Sequence, residues 1–281
     1  QSKKADLIRA RLERAERIYG SGARDRIRAF MQKMKETTVL PYDQNLTLVM
    51  GGGGNSGILS SDSMVLVIDS KMDKASEELY QMAKEIAGNR PIVLINTHIH
   101  PDHVSGNNLY KGCRIIAGAN YSKAQWIKDA GENNLPNEWL KDSMVFKMDD
   151  EIVHVYNMGK NIHSESDVVV YLSSRKILFA GDLVLNKQAP VIMGVASPAA
   201  YLETFDYLKN KFDVKVLVPG HGSMGDVETI NVFKQYFLDM KEASVNADKK
   251  SELISKYDDW NQVPFLMSPG ATVSAFKKFQ H

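Results

Sequence analysis

Cysteine is almost absent: Cys113 is the only one among 281 residues. That excludes an internal disulfide framework and any zinc knuckle built on thiolates, so a metal site in this chain has only nitrogen and oxygen side chains to draw on. Long apolar runs are missing too, and no stretch approaches the eighteen or more residues of a membrane span. Net charge is close to nil, with 35 Lys/Arg against 34 Asp/Glu, which leaves no whole-protein field to draw in nucleic acid or an anionic membrane. No signal-peptide pattern opens the chain, which begins at Gln1. A periplasmic or secreted protein is expected if Gln1 is a mature terminus, and a cytoplasmic one otherwise.

What is present is an ordinary globular composition, 43% apolar, enough for a sizeable core. Charge is unevenly spread. Residues 1–36 carry eleven Lys/Arg and five Asp/Glu, a net of +6, and the remainder carries 24 against 29, a net of −5. Apolar residues from Leu7 to Met34 recur at roughly helical spacing, interrupted at Gly20-Ser21-Gly22. Two short helices are expected there, with a solvated basic face.

Histidine is the informative residue. Of seven in the chain, His98, His100 and His103 fall within six positions, with Asp102 among them. Just upstream, Pro91-Ile92-Val93-Leu94-Ile95-Asn96 reads as a buried central strand, being short, β-branched and bounded by proline. The histidines therefore leave the carboxyl end of a strand, where α/β folds gather their ligands.

Three more segments place a candidate ligand at a strand end. His163 precedes Val168–Leu172, Asp182 follows Ile177-Leu178-Phe179-Ala180-Gly181, and His221 follows Val216-Leu217-Val218-Pro219-Gly220. Glycine before Asp182 and before His221 lets the backbone turn sharply. Together these are five histidines and two aspartates, more than the three protein ligands one catalytic zinc takes. Two ions sharing a carboxylate would use all seven. Imidazole and carboxylate suit zinc, with iron and manganese also open.

Strands at Leu46–Met50, Ile58–Ser60 and Met64–Asp69 are followed by a helix at Lys74–Ala87 and the His-bearing strand. Beyond these, Val168–Leu172 and Ile177–Ala180 read as a hairpin around Ser173-Ser174-Arg175. Helices at Ala199–Lys211 and from Val227 to about Ala243 flank a strand at Val214–Val218. Strands clustered in hairpins and then alternating with helices predict an α/β protein with a mixed two-sheet core and helices outside.

The set His98-x-His100-x-Asp102-His103, then His163, Asp182 and His221, resembles the metallo-β-lactamase superfamily over about residues 45–240. The resemblance implies a four-layer αββα sandwich with the metal site at one edge between the sheets, here with an N-terminal helical extension. It divides the chain into the extension (1–40), a hydrolase domain (41–245) and a C-terminal tail docked on that domain (246–281). It also implies that His98, His100 and His163 hold one metal, that Asp102, His103 and His221 hold a second, and that Asp182 bridges them. The bridging aspartate is similar to the glyoxalase II-like and general hydrolase branches. The usual Pro-Gly-His turn is replaced here by Gly159-Lys160-Asn161-Ile162-His163.

The expected function is a dinuclear zinc hydrolase that uses a metal-bridging hydroxide on an ester, thioester, lactone or amide, β-lactams included, of a small molecule. Asp102 and Asp182 are the expected catalytic carboxylates, Asp102 as a proton relay. The alternative is a mononuclear iron enzyme of the persulfide-dioxygenase type, and a third is a metal-bearing interaction module using residues 1–36. Partners are thus a small-molecule substrate, with no nucleic acid, no membrane span and the oligomeric state left open. Asp69 and Asp167 are the candidates to orient ligand imidazoles. The run Gly51-Gly52-Gly53-Gly54-Asn55-Ser56-Gly57 lacks the Gly-Lys-Ser/Thr of a phosphate loop, so it is expected to be a flexible hairpin tip able to act as a flap. His154 is expected to be structural. Gln188 to Ala196 is expected to be a pocket wall or a buried loop, with Lys187 beside it for a substrate carboxylate or simply solvated.

Overall fold

Apolar side chains alternate between two dry faces, and that alternation sets the architecture. Val65–Ile68 is buried at every position; Leu66 and Ile68 belong to one hydrophobic cluster, Val65 and Val67 to another. A strand with two dry faces has to be covered on both. The computed structural model describes residues 35–192, 197–262 and 267–279 together with isolated positions before residue 35. It resolves the chain into two compact units, one of residues 35–186 and 193–237, the other of residues 1–34, 187–192 and 238–281.

The larger unit is built on two sheets. In the first, β1 (Thr37–Pro41), β2 (Leu46–Gly51), β3 (Ser56–Ser60), β4 (Val65–Ile68), β5 (Ile92–Ile95), β6 (Arg114–Gly118) and β7 (Glu138–Leu140) lie side by side in chain order. Pairing is antiparallel from β1 to β4 and parallel from β4 to β7. The second has the order β12-β11-β10-β9-β8, formed by β8 (Ser143–Met148), β9 (Glu151–Gly159), β10 (Asp167–Leu172), β11 (Ile177–Gly181) and β12 (Val216–Pro219). Only β11 and β12 run parallel.

Leu48, Leu66, Ile68 and Ile95 of the first sheet meet Val155, Val168, Val170 and Phe179 of the second in one buried cluster. On the outer face of the first sheet, helix α1 (Asp73–Ala87) sets Leu79, Ala83 and Ala87 against Val65, Val67 and Leu94. Two short helices, α2 (Pro101–Val104) and α3 (Lys123–Ala130), follow β5 and β6. Beyond the second sheet, α4 (Pro198–Lys211) and α5 (Val227–Val245) bring Tyr201, Phe205, Phe233 and Phe237 together, with the Tyr201 and Phe237 rings 4.4 Å apart. The result is the αββα sandwich.

The smaller unit contains α6 (Lys250–Ser255) and α7 (Pro269–Phe276). Tyr257 packs edge-on to Trp260 at 4.8 Å and donates to Asp239 at 3.0 Å. Asn261 straps the segment after residue 186, its N–H donating to Lys187 O and its carbonyl accepting from Ala189 N. Lys187 lies 3.4 Å from Asp259, both exposed, and Gln188 and Ala189 are buried. The expected helices of the N-terminal extension, and residues 193–196 of the expected pocket wall, lie outside the described residues. Residues 37–40, assigned above to that extension, belong with Pro41 to strand β1, which is paired along β2.

Leu66 sits fully buried between the sheets. Leu66→Ala is therefore expected to destabilise the protein by about 2–5 kcal/mol, measured by denaturant unfolding.

Candidate metal centre

The residues of the candidate site come from strand ends and from the connections that leave them. β4 runs into Asp69, β5 into Asn96–His103, β11 into Asp182 and β12 into Gly220-His221, while His163 lies on the connection from β9 to β10. Ahead of α2, His100 is extended (φ −62°, ψ 145°) and Pro101 begins the helix, where its fixed φ and missing N–H cost nothing. That single turn, closed by His103 N donating to His100 O at 2.9 Å, carries Asp102 and His103 back toward His98 and His100.

The seven side chains form two groups with one carboxylate between them. Nε2 of His98 and Nε2 of His163 lie 3.0 and 2.9 Å from Nδ1 of His100. Asp182 Oδ2 faces this group, 3.4 Å from His163 and 3.9 Å from His98. Its Oδ1 faces the other, 3.2 Å from His103 Nε2 and 3.5 Å from His221 Nε2. Asp102 closes the second group, its Oδ2 lying 3.0 Å from His221 and 3.8 Å from His103. All seven sequence-expected residues are thus brought together.

The charges are as unusual as the geometry. Burial holds His98 well below the usual imidazole range and takes His163 down to about 3 and His100 lower too, so this group is a set of neutral nitrogen donors. Burial would lower His103 and His221 as well, but the carboxylates around them, Asp69, Asp182 and Asp102 for His103, hold both above the ordinary value. Asp102 and Asp182 stay ionised against burial because these imidazoles surround them. The carboxylates call for positive charge at that spot.

Behind the donors stands a layer of orienting groups. Asp69 takes Thr97 N on Oδ1 and both Thr97 Oγ1 and His103 Nδ1 on Oδ2, each at 2.7 Å. The Thr97 hydroxyl, having given its proton to Asp69, accepts from His98 Nδ1 at 3.1 Å, which leaves His98 Nε2 as the free donor atom. Asp69 thereby fixes two ligand rings, as expected for an outer carboxylate. Asp167 does something else: it accepts from the backbone N–H of His163 and Ser164 and from the Ser164 hydroxyl, so it fixes the loop and not the ring. The His163 ring is held through Nδ1 by the buried Tyr201 hydroxyl at 3.0 Å. Nothing near the motif signals Tyr201, which comes from α4, 38 residues away.

Two glycines allow the groups to close. Gly181 has φ +52°, the left-handed turn anticipated before Asp182. Gly220 works differently, since a Cβ there would overlap the Asp182 carboxylate. The glycine run departs from expectation: Gly52, Gly53, Gly54 and Asn55 are buried, and a Cβ at Gly54 would overlap the His103 imidazole. It is a packed wall of the site, not an exposed tip. His154 stands apart, stacked on Tyr156 at 6.1 Å.

A metal fits the donors. Among the described residues, His103 Nε2 and Asp182 Oδ1 are buried without a hydrogen bond, and two such unsatisfied polar atoms 3.2 Å apart are what a cation between them satisfies once the imidazole is neutral. Ligands at about 2.0–2.1 Å from one zinc lie within about 4.2 Å of each other whatever the angle. In the first group His98 and His163 lie 3.0 and 2.9 Å from His100 and 3.9 and 3.4 Å from Asp182, and in the second Asp102 lies 3.0 Å from His221 and 3.8 Å from His103, all inside that limit.

Comparison with known proteins agrees. The family model described as the metallo-beta-lactamase superfamily matches residues 49–221. The chain is 29% identical over 178 residues to a metallo-beta-lactamase type 2 of Bacillus sp. (strain 170), covering 61% of this chain and 68% of that protein. It is 26% identical over 209 residues to the human acyl-coenzyme A thioesterase MBLAC2, covering 61% of this chain and 74% of that protein. A solved metallo-beta-lactamase from Pontibacter korlensis shares the fold with a TM-score of 0.62 at 22% identity, covering 72% of this chain and 99% of that one. Fold, site geometry and family match agree that this chain belongs to the metallo-β-lactamase superfamily.

Proposed function

We propose that the protein is a dinuclear zinc hydrolase that cleaves an ester, thioester, lactone or amide bond of a small molecule. The observation that carries this reading is the split of Asp182, one oxygen to each group of imidazoles. His98, His100 and His163 would hold one ion and Asp102, His103 and His221 the other, with Asp182 shared. When bound, such a pair supplies hydroxide at neutral pH and polarises the substrate carbonyl.

The chain's own residues do the rest. Asp69, Thr97 and Tyr201 hold the rings in the tautomers that leave their donor atoms free. Asp102 has the most exposed carboxylate of the pair, 22% against 10% for Asp182, and it stays ionised beside His103 and His221. It can accept a proton from the attacking water and hand it to the leaving oxygen, sulfur or nitrogen. A one-iron site would leave Asp102, His103 and His221 without work, which disfavours the dioxygenase reading.

Relatives named for β-lactam and for acyl-CoA thioester chemistry set the first substrates to try. A hydrolysis screen over β-lactams, lactones and acyl thioesters is expected to find a substrate whose turnover is abolished by a chelator and restored by zinc. Full turnover in metal-free protein would overturn the reading. Tyr201→Phe removes only the oxygen facing His163, and is expected to weaken zinc binding or turnover by roughly 10–100-fold, measured by chelator competition and steady-state kinetics.

A further inference from the structure

Lys71 is fully buried, 0% exposed, which is rare for a lysine without a partner of opposite charge. Its Nζ donates to three backbone carbonyls, Val49 O at 2.9 Å, Gly51 O at 2.5 Å and Gly54 O at 2.6 Å. Three acceptors exhaust the three N–H donors of an ammonium, where a neutral amine has two. Lys71 reaches them from a left-handed backbone (φ +61°), between two more left-handed residues, Asp69 and Asp73. Such conformations cost free energy in non-glycine residues, so the path that aims this side chain inward is set by the surrounding structure.

The loop that Lys71 holds borders the second group of donors. Gly54 N donates to Asp102 O at 3.0 Å and Asn55 N to Gly220 O at 2.8 Å. Gly54 packs directly on the His103 ring. Asn55 Nδ2 donates to Pro219 O and Gly222 O, both at 2.9 Å, on either side of His221, while its Oδ1 accepts from Gly51 N. One loop therefore touches Asp102 and His103 and brackets His221. Those three side chains come from two separate stretches of chain, and the glycine loop is what joins them.

We infer that Lys71 is a positioning residue for the Asp102, His103 and His221 metal site, acting through the Gly51–Asn55 loop. The inference rests on the two-metal reading above. Charge alone would work the other way: burial pulls the Lys71 ammonium down to about 7 while Asp69 and Asp102 hold it up, and in its charged form a buried cation opposes a metal ion nearby. Removing it would tighten that ion electrostatically. Weaker binding after its removal is therefore the mark of lost positioning.

The test is zinc titration of the full chain against a chromophoric chelator, for the wild type, Lys71→Met and Lys71→Gln. The wild type is expected to bind two zinc ions. In Lys71→Met one of the two steps, that of the Asp102, His103 and His221 site, is expected to weaken by about tenfold or more, as lost outer supports do, with the other step within about twofold. Lys71→Gln keeps an N–H donor, is expected to fall between, and serves if Lys71→Met does not fold. An unchanged or tighter second ion in the variants, or equal weakening of both ions, overturns the role of Lys71 and leaves the two-metal reading standing. A wild type that binds a single zinc overturns both.

Discussion

The buried carboxylate of Asp182 is the constraint on which the site depends. It is surrounded by imidazoles from three separate stretches of chain, and it stays ionised although burial opposes this. An isolated buried charge is expensive, so the fold has to supply either protons or a metal cation opposite it. The structure answers by pointing Oδ2 at one group of nitrogens and Oδ1 at another. In the two-metal reading that single side chain fixes where both ions lie.

The sandwich makes such convergence affordable. Parallel strands β4, β5 and β6 end at one edge of the first sheet, and the parallel pair β11 and β12 ends with Asp182 and His221 in the second. Packing between the sheets, through Leu66, Ile68, Val168 and Phe179, holds these two edges in register. Polar atoms behind the donors are then satisfied one by one, by Asp69, Thr97 and Tyr201.

Much of this was legible from the chain because its signals are short-range. The His98–His103 cluster, the glycines before Asp182 and His221 and the apolar strands are each read within a few residues. Other features are set by contacts distant in sequence. Tyr201 reads as one more aromatic on a helix until the fold places it against His163. Nothing beside Lys71 in the sequence marks it, because its acceptors are the carbonyls of a hairpin 17 to 22 residues earlier. The glycine run misled for the same reason: glycine marks both a flexible tip and a backbone pressed against a neighbour, and only the fold distinguishes them. Thr37–Pro41 escaped notice because it is a half-exposed edge strand ending in proline, with no apolar alternation to betray it.

The central claim is that Asp182 joins two metal ions. Its most direct test is native mass spectrometry of the zinc-loaded protein, wild type beside Asp182→Ala, with turnover measured on the same samples. The account predicts two zinc ions per chain in the wild type, and in the variant one or none with activity lost. An Asp182→Ala protein that kept both ions and full turnover would contradict it.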